Sequence, residues 1–491
     1  MSEPHVVIIG GGLAGLSAGC YALRNGYRTT IVEHNLALGG VCTAWNRGAY
    51  TIDGCIHWLT GGAFTALYDE LEITSHVQLR PLDVWQTYRN VEEGLSIPIS
   101  RDLDALIAEL SRVSPADAAE LSRVRLGASE LLALTPTLDV PELVPWRERL
   151  RPIWEMRGAF GSMLHFRKTI GEWSHEHLHS PILRRLFTSL VPETAPAIFL
   201  LMMLGYLSRG HFSRPVGGTA AFRDALVRTY QALGGHVQLH ATVDEVLIRG
   251  DRAAGVRLAD GTMLAADVVI STASAPETVL RLLGGRFDAD ATRDRLERWK
   301  LFDPIVLASF GVAQPYADQP PLFTLDGVAP RTIGGRRCDR AVVRVLNDDP
   351  CYAPAGHTVV QVMLPATYSW WATRGSSYNA EKDLVAEAAL ELLEPLFPEL
   401  RQAVRVTDIV TPLTYWSMAR SWRGAYEGWM PSGETGSTHV ERTLAGLNGF
   451  YMAGQWVEPG GGVPMALMSG RQAVQQLCIA DERVFSARGR T

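Results

Sequence analysis

Lysine is nearly absent from this 491-residue chain, which has Lys168, Lys300 and Lys382 among 46 basic residues and takes the rest of its positive charge from arginine. With 52 acidic side chains the formal net charge is −6. That excludes a broad basic face for nucleic acid and leaves small molecules as the expected partners. The 6 cysteines form no CxxC pair and no repeating spacing, so neither a zinc ribbon nor a disulfide framework is expected. The N-terminus lacks the basic segment, long apolar stretch and cleavage site of a secretory signal, so a cytoplasmic protein is expected. No run is long enough to cross a bilayer: the most apolar segment, Ala195 to Leu207, contains Pro196 and falls well short of the roughly 20 residues required. It is apolar on every side, so it is either buried in protein or laid into lipid at an interface.

What is present is an ordinary globular balance, 47% hydrophobic and 20% charged, in a chain long enough for two or three folded units. The run Val6-Val7-Ile8-Ile9 reads as a strand buried on both faces. It is followed by Gly10-Gly11-Gly12-Leu13-Ala14-Gly15, which fits GxGxxG. Gly10 allows the tight turn, Gly12 lets the backbone approach a pyrophosphate, and Gly15 lets helix and strand pack closely. The phosphates then sit at the N-terminus of a helix that Gly26 stops. Glu33 closes the next strand, where a carboxylate accepts ribose hydroxyls and repels a 2′-phosphate, so FAD or NAD is expected rather than NADP.

The expected fold class is α/β, with a Rossmann-type dinucleotide domain interleaved with an α+β substrate domain. Residues 1–76, 215–285 and 440–491 are assigned to the first; residues 77–214 and 286–439 are assigned to the second. Near the C-terminus, Ala453-Gly454-Gln455-Trp456 and Pro459-Gly-Gly-Gly-Val-Pro464 lead into another helix. So many glycines imply close backbone approach to a large planar or anionic ligand, for which a nicotinamide enzyme has no need.

The glycine-rich opening, the pair Gly39-Gly40, the Asp53 to Gly61 segment, the Pro215-Val-Gly-Gly218 turn and the Gly454 to Gly470 block together resemble the FAD-dependent phytoene desaturase, carotenoid isomerase and retinol saturase superfamily. Ile56-His57-Trp58 resembles the Ile-His-Tyr signature of its isomerase and saturase branch. The resemblance implies that Leu13, Ala14 and Glu33 hold the ADP half of FAD and that Gly40 and Val41 line the flavin side. It also implies that Val243 clasps the adenine through its backbone and that Gly454, Val463 and Pro464 meet the ribityl and isoalloxazine region. Val41 departs from the arginine that many relatives carry, and Cys55 stands where the branch has glycine.

The implied chemistry is desaturation, saturation or cis-trans isomerisation of C=C bonds in a hydrophobic polyene or isoprenoid lipid such as a carotenoid or retinoid. A flavin amine oxidase and a non-enzymatic prenyl-binding protein of the same fold are the alternatives. A single GxGxxG leaves the electron donor or acceptor external. His57 is the candidate catalytic residue, with plain structural hydrogen bonding as its alternative. From the dense aromatics near the C-terminus, Trp416, Tyr426 and Trp429 are taken as candidate substrate-binding residues. Trp146, Arg147, Arg149, Arg151, Trp154 and Arg157 suit peripheral contact with the inner face of a membrane, or a solvated helix. His175 to His179 fits HExxH without a third ligand, and Ser17 in GxSxG falls inside a helix; neither a metal nor a nucleophile elbow is expected.

Overall fold

The computed structural model describes residues 3–132, 137–432, 435 and 440–489. The side chains of residues 148 and 150–156 fall outside that description, Arg151 and Trp154 among them. Two sheets organise the chain. The smaller is wholly parallel, ordered His236–Gln238, Arg28–Val32, His5–Ile9, Val268–Ser271 and Phe450–Met452. Its central strand pairs Val6 with Thr29 on one side and with Val268 on the other, and Val6, Val7 and Ile8 are fully buried. Strands this apolar must be covered on both faces. One cover is a set of helices, Leu13–Arg24, Gly218–Ala232 and Gly462–Ala480. The other is the three-stranded sheet Val243–Arg249, Arg252–Leu258 and Met263–Ala265 together with aromatics near Trp429.

The first and last of those helices cross closely because small residues face one another. A Cβ on Gly470 would lie 2.5 Å from Ala14 O and 2.8 Å from Ala18 N, and one on Gly15 would overlap Gly10 O. Ser17 sits in the same crossing, donating from Oγ to Leu467 O at 2.7 Å, which accounts for the small-residue pattern without a nucleophile.

The larger sheet has seven strands, ordered Val404–Val410, Ile305–Val312, Thr358–Pro365, Ala341–Val345, Leu322–Asp326, Val84–Asn90 and Leu95–Ser100. Its pairs are antiparallel except Leu322–Asp326 with Val84–Asn90, where Thr324 faces Tyr88 in parallel register. Helix Tyr378–Leu393 packs on one face. Beyond the far edge lies an all-helical layer around Ala118–Leu131 and Ala197–Ser208.

The segment that was apolar on every side forms helix Ala197–Ser208 and is buried in protein. Leu200, Leu201, Leu204 and Leu207 enter the helical core, while Phe199, Met202 and Met203 line a cavity. Among the described residues, no helix is long and apolar enough to cross a membrane.

The HExxH sequence has no shared face either. Its helix ends at His177, and His179 turns to Asp117, Nδ1 to Oδ1 at 2.9 Å. His177 instead approaches His165, whose Nε2 meets Glu120 Oε1 at 2.6 Å. That carboxylate also accepts from Trp173 Nε1 and pairs with Arg123, so it ties helices together.

Gly470→Ala is expected to cost about 1–3 kcal/mol through overpacking of the helix crossing. Urea unfolding checks this, and a midpoint equal to wild type would show that the two helices are not seated as described.

Candidate functional site

Between the sheets lies a cavity of about 790 Å³, inside the usual range for small-molecule and cofactor sites. One wall is glycine-rich backbone. Gly12 caps helix Leu13–Arg24 with no side-chain hydrogen bond and no acidic residue in the first turn, so its leading N–H groups stay open to an anion. Gly10 needs its positive φ of 98°, since a Cβ there would stand 2.6 Å from Thr272 Oγ1. Gly39 N donates to Gly11 O at 2.8 Å, laying the second glycine pair against the first loop. Helix Gly462–Ala480 likewise starts from Gly461 without a side-chain cap. Two uncapped helix N-termini thus border one cavity.

Glu33 anchors the end of this wall. Its Oε2 accepts from Gly11 N at 2.7 Å and its Oε1 from Asn35 N at 2.9 Å, with His34 Nδ1 3.0 Å away. Burial alone raises a carboxyl's pKa, but these donors outweigh it and hold Glu33 below the usual carboxylate range. A carboxylate kept ionised at that place, with acceptor capacity to spare, suits ribose hydroxyls.

The donor set and the Cβ-free loops fit FAD. Gly10, Gly12, Leu13, Ala14, Glu33, Gly39, Gly40, Val41, Val243, Gly454, Val463 and Pro464 all line the cavity. Gly15 alone of the candidate cofactor residues stands behind it, where its part is the tight passage past Gly10.

The opposite wall is the large sheet. Ile305, Met363, Val342, Leu322 and Gln86 reach the cavity from five neighbouring strands, a span of about 19 Å at the usual strand spacing. Phe199, Met202 and Met203 continue it. Val41, on the glycine side, packs against the cluster of Leu307, Val410 and Tyr415, on which Ile305, Met363 and Tyr426 also pack, so the two walls meet there.

His57 lines the cavity. Burial, with the cations Arg344 and Arg214 nearby, pushes its pKa well below the ordinary histidine value and keeps the imidazole neutral. The hairpin Ala44–Arg47 and Tyr50–Asp53 pairs Ala44 with Asp53, and one step further Gly54 N donates to Thr43 O at 3.1 Å. Cys42 and Cys55 then lie together at the cavity edge.

Of the three aromatic candidates only Tyr426 is in the wall. Trp429 is turned into the core, where its indole N–H donates to Trp456 O at 3.1 Å and its ring meets Trp299 and Trp456. Trp416 is not in the wall; it packs on Trp422 and on Arg420, which does line the cavity. Both corrections have one cause: aromatic density near the glycine block marks a core as readily as a binding wall. Glu427 and the Phe199, Met202 and Met203 face went unnoticed. Glu427 had a signal, being the one carboxylate inside Tyr426-Glu427-Gly428-Trp429.

Comparison with known proteins agrees with this layout. A family model described as flavin containing amine oxidoreductase matches residues 13–478. The all-trans-zeta-carotene desaturase of Myxococcus xanthus is 26% identical, with 97% of this chain and 93% of that protein covered. The neurosporene-forming phytoene desaturase of Rhodobacter capsulatus is 24% identical, covering 96% and 94%. Prolycopene isomerase 2 of an Oncidium hybrid cultivar is 24% identical, covering 95% and 82%. Among solved structures, an oxidoreductase from Methanosarcina mazei superposes with a TM-score of 0.63 at 18% identity, covering 95% of this chain and 98% of that one. The cyclohexylamine oxidase of Brevibacterium oxydans gives 0.60 at 18% identity, covering 98% and 100%. These last two show the fold.

Glu33→Gln removes the charge from a carboxylate placed to accept from a ribose and should weaken FAD binding about 10–100-fold, the worth of a charged hydrogen bond. Titrating the apoprotein with FAD by flavin fluorescence measures this, and an unchanged Kd would place the ribose elsewhere.

Proposed function

The chain belongs to the flavin-containing amine oxidoreductase family and is an FAD-dependent oxidoreductase, and from that premise we propose that it acts on C=C bonds of a hydrophobic polyene or isoprenoid lipid. Desaturation, saturation and cis-trans isomerisation all fall within this reading. The observation that carries it is the pairing of walls in one cavity: a glycine-lined dinucleotide seat faces a sheet and helix whose lining is almost wholly apolar. A long hydrocarbon gains about 0.8 kcal/mol for each buried CH₂ on such a wall.

When bound, FAD supplies the hydride-transfer chemistry. This chain's residues do the rest. Glu33 would hold the ribose, the N-terminus of helix Leu13–Arg24 would receive the pyrophosphate, the N-terminus of helix Gly462–Ala480 would face the flavin end, and Val41, packed on the cluster of Leu307, Val410 and Tyr415, closes the glycine wall against the sheet. Phe199, Met202 and Met203 offer soft, adjustable surface to an extended chain. His57, kept neutral, presents ring nitrogens that orient the substrate without adding charge. Cavity walls of this kind exclude water from the reacting bond.

Helix Trp146–His165 exposes Trp146, Phe160 and Leu164, at 67%, 65% and 56% of their surface. We place peripheral contact with the inner membrane face on this helix, where a lipid-soluble substrate is delivered. Electrons pass to or from an external partner.

The test begins with the absorption spectrum of the purified protein, followed by FAD reconstitution. The holoprotein is then given phytoene, zeta-carotene, prolycopene and all-trans-retinol in micelles, with oxygen or a quinone, and products are separated by chromatography. A change in the conjugated chromophore of at least one polyene is expected. Peroxide release with putrescine or cyclohexylamine and inertness toward all four polyenes would favour an amine oxidase instead. A protein that takes up no FAD would leave a lipid carrier.

A further inference from the structure

Three carboxylates line the cavity: Glu33, Glu277 and Glu427. Glu33 is occupied by Gly11, Asn35 and His34, and Glu277 by the Arg281 guanidinium at 2.6 Å. The carboxyl of Glu427 has no hydrogen-bond or ion-pair partner among the described residues. Such a group is costly to keep in an apolar site, so its place there calls for a use.

Its backbone fixes where it is. Gln455 Nε2 donates to Tyr426 O at 2.8 Å. A Cβ on Gly461 would stand 2.5 Å from Glu427 O and 2.8 Å from Glu427 Cβ. Glu427 is thus wedged between Gln455 and the glycine turn that opens helix Gly462–Ala480, beside Gly454, Val463 and Pro464.

Forming a C=C bond from a single bond removes a hydride from one carbon and a proton from its neighbour; saturation returns both. A hydrocarbon has no acid or base of its own, so a group bordering the cavity must take the proton. The other titratable groups of this wall are poorly suited. His57 is held neutral beside Arg344 and Arg214. His34 is committed to Glu33. The phenols of Tyr415 and Tyr426 are pushed up by burial, and the Cys42 thiol by Cys55 beside it and by burial. Burial raises the Glu427 carboxyl to about 7, where one group gives and takes a proton near neutral pH.

We propose that Glu427 is the catalytic acid and base of this cavity. In desaturation its carboxylate takes the proton from the carbon next to the one that surrenders hydride to oxidised flavin. The electron pair of that second C–H bond becomes the new double bond. In saturation reduced flavin gives the hydride and the Glu427 carboxylic acid gives the proton. The inference rests on the C=C reading above and assigns its proton step to one side chain.

The experiment compares wild type, Glu427→Gln and Glu427→Asp. In the holoprotein, with whichever of the four polyenes the wild type converts, Glu427→Gln should lower kcat about 100-fold or more. FAD uptake and KM should change little, and Glu427→Asp should recover part of the rate. Thermal unfolding of the apoproteins against pH gives a readout independent of turnover. A carboxyl whose folded pKa is raised stabilises fully below its unfolded value and loses that contribution as pH rises through about 7. Glu427→Gln should therefore gain Tm over wild type from pH 5 upward and level off above 7. Tyr426 is the titratable neighbour that senses the Glu427 charge, Tyr415, Cys55 and Asp303 act in turn on Tyr426, and all are common to both proteins. Parallel Tm profiles, or a Glu427→Gln enzyme with wild-type kcat, would overturn the inference and leave the C=C reading intact. A wild type inert to every polyene overturns that reading and this assignment with it.

Discussion

Helices Leu13–Arg24 and Gly462–Ala480 cross with backbone atoms of Ala14 and Ala18 where a side chain on Gly470 would stand, and this crossing decides where both helix N-termini point. Each terminus carries roughly half a unit of positive charge and several unpaired N–H groups. Brought to one cavity, they make a backbone seat in which the first can take an anion and the second faces the other end of the same ligand. Had either helix been tilted by a larger residue, the loops before them would diverge and Glu33 would lose Gly11 as a donor. The geometry of the cofactor wall is in this sense a packing result before it is an electrostatic one.

The facing wall follows a different logic. A seven-stranded sheet turns alternate side chains to one face, so Ile305, Met363, Val342 and Leu322 form a continuous surface from strands far apart in sequence. The chain reaches this arrangement by leaving the nucleotide fold twice and returning. The parallel sheet accordingly collects strands from near both termini and from the middle. The active cavity is what remains between a polar backbone wall and an apolar side-chain wall, joined where Val41 packs on the cluster of Leu307, Val410 and Tyr415.

Much of the polar wall was legible in the sequence because its physics is local. A strand running into Gly10 to Gly15, then Glu33 after the next strand, dictates the loop and its ligand within one stretch of chain. The Gly454 to Pro464 block was readable for the same reason. The apolar wall was not, since no local pattern tells which residues of a sheet or of an all-apolar helix face a void and which face a core. Trp429 and Tyr426 are three residues apart, yet one meets Trp456 in the interior and the other borders the cavity. Glu427 escaped notice because a carboxylate reads as a surface residue until the glycine turn at Gly461, which approaches its backbone, is known to hold it at the cavity wall.

Helix Ala197–Ser208 separates two kinds of selection along one element. Leu200, Leu201, Leu204 and Leu207 belong to the helical core, where loss of volume is felt as instability. Phe199, Met202 and Met203 border open space while their other side packs against that core, so a change of size there alters the shape offered to a ligand at a smaller loss of packing. A lineage carrying this scaffold can drift among lipid chains of different length and bend by altering three positions, so evolvability of substrate range is built into the helix whose sequence looked the most uniform.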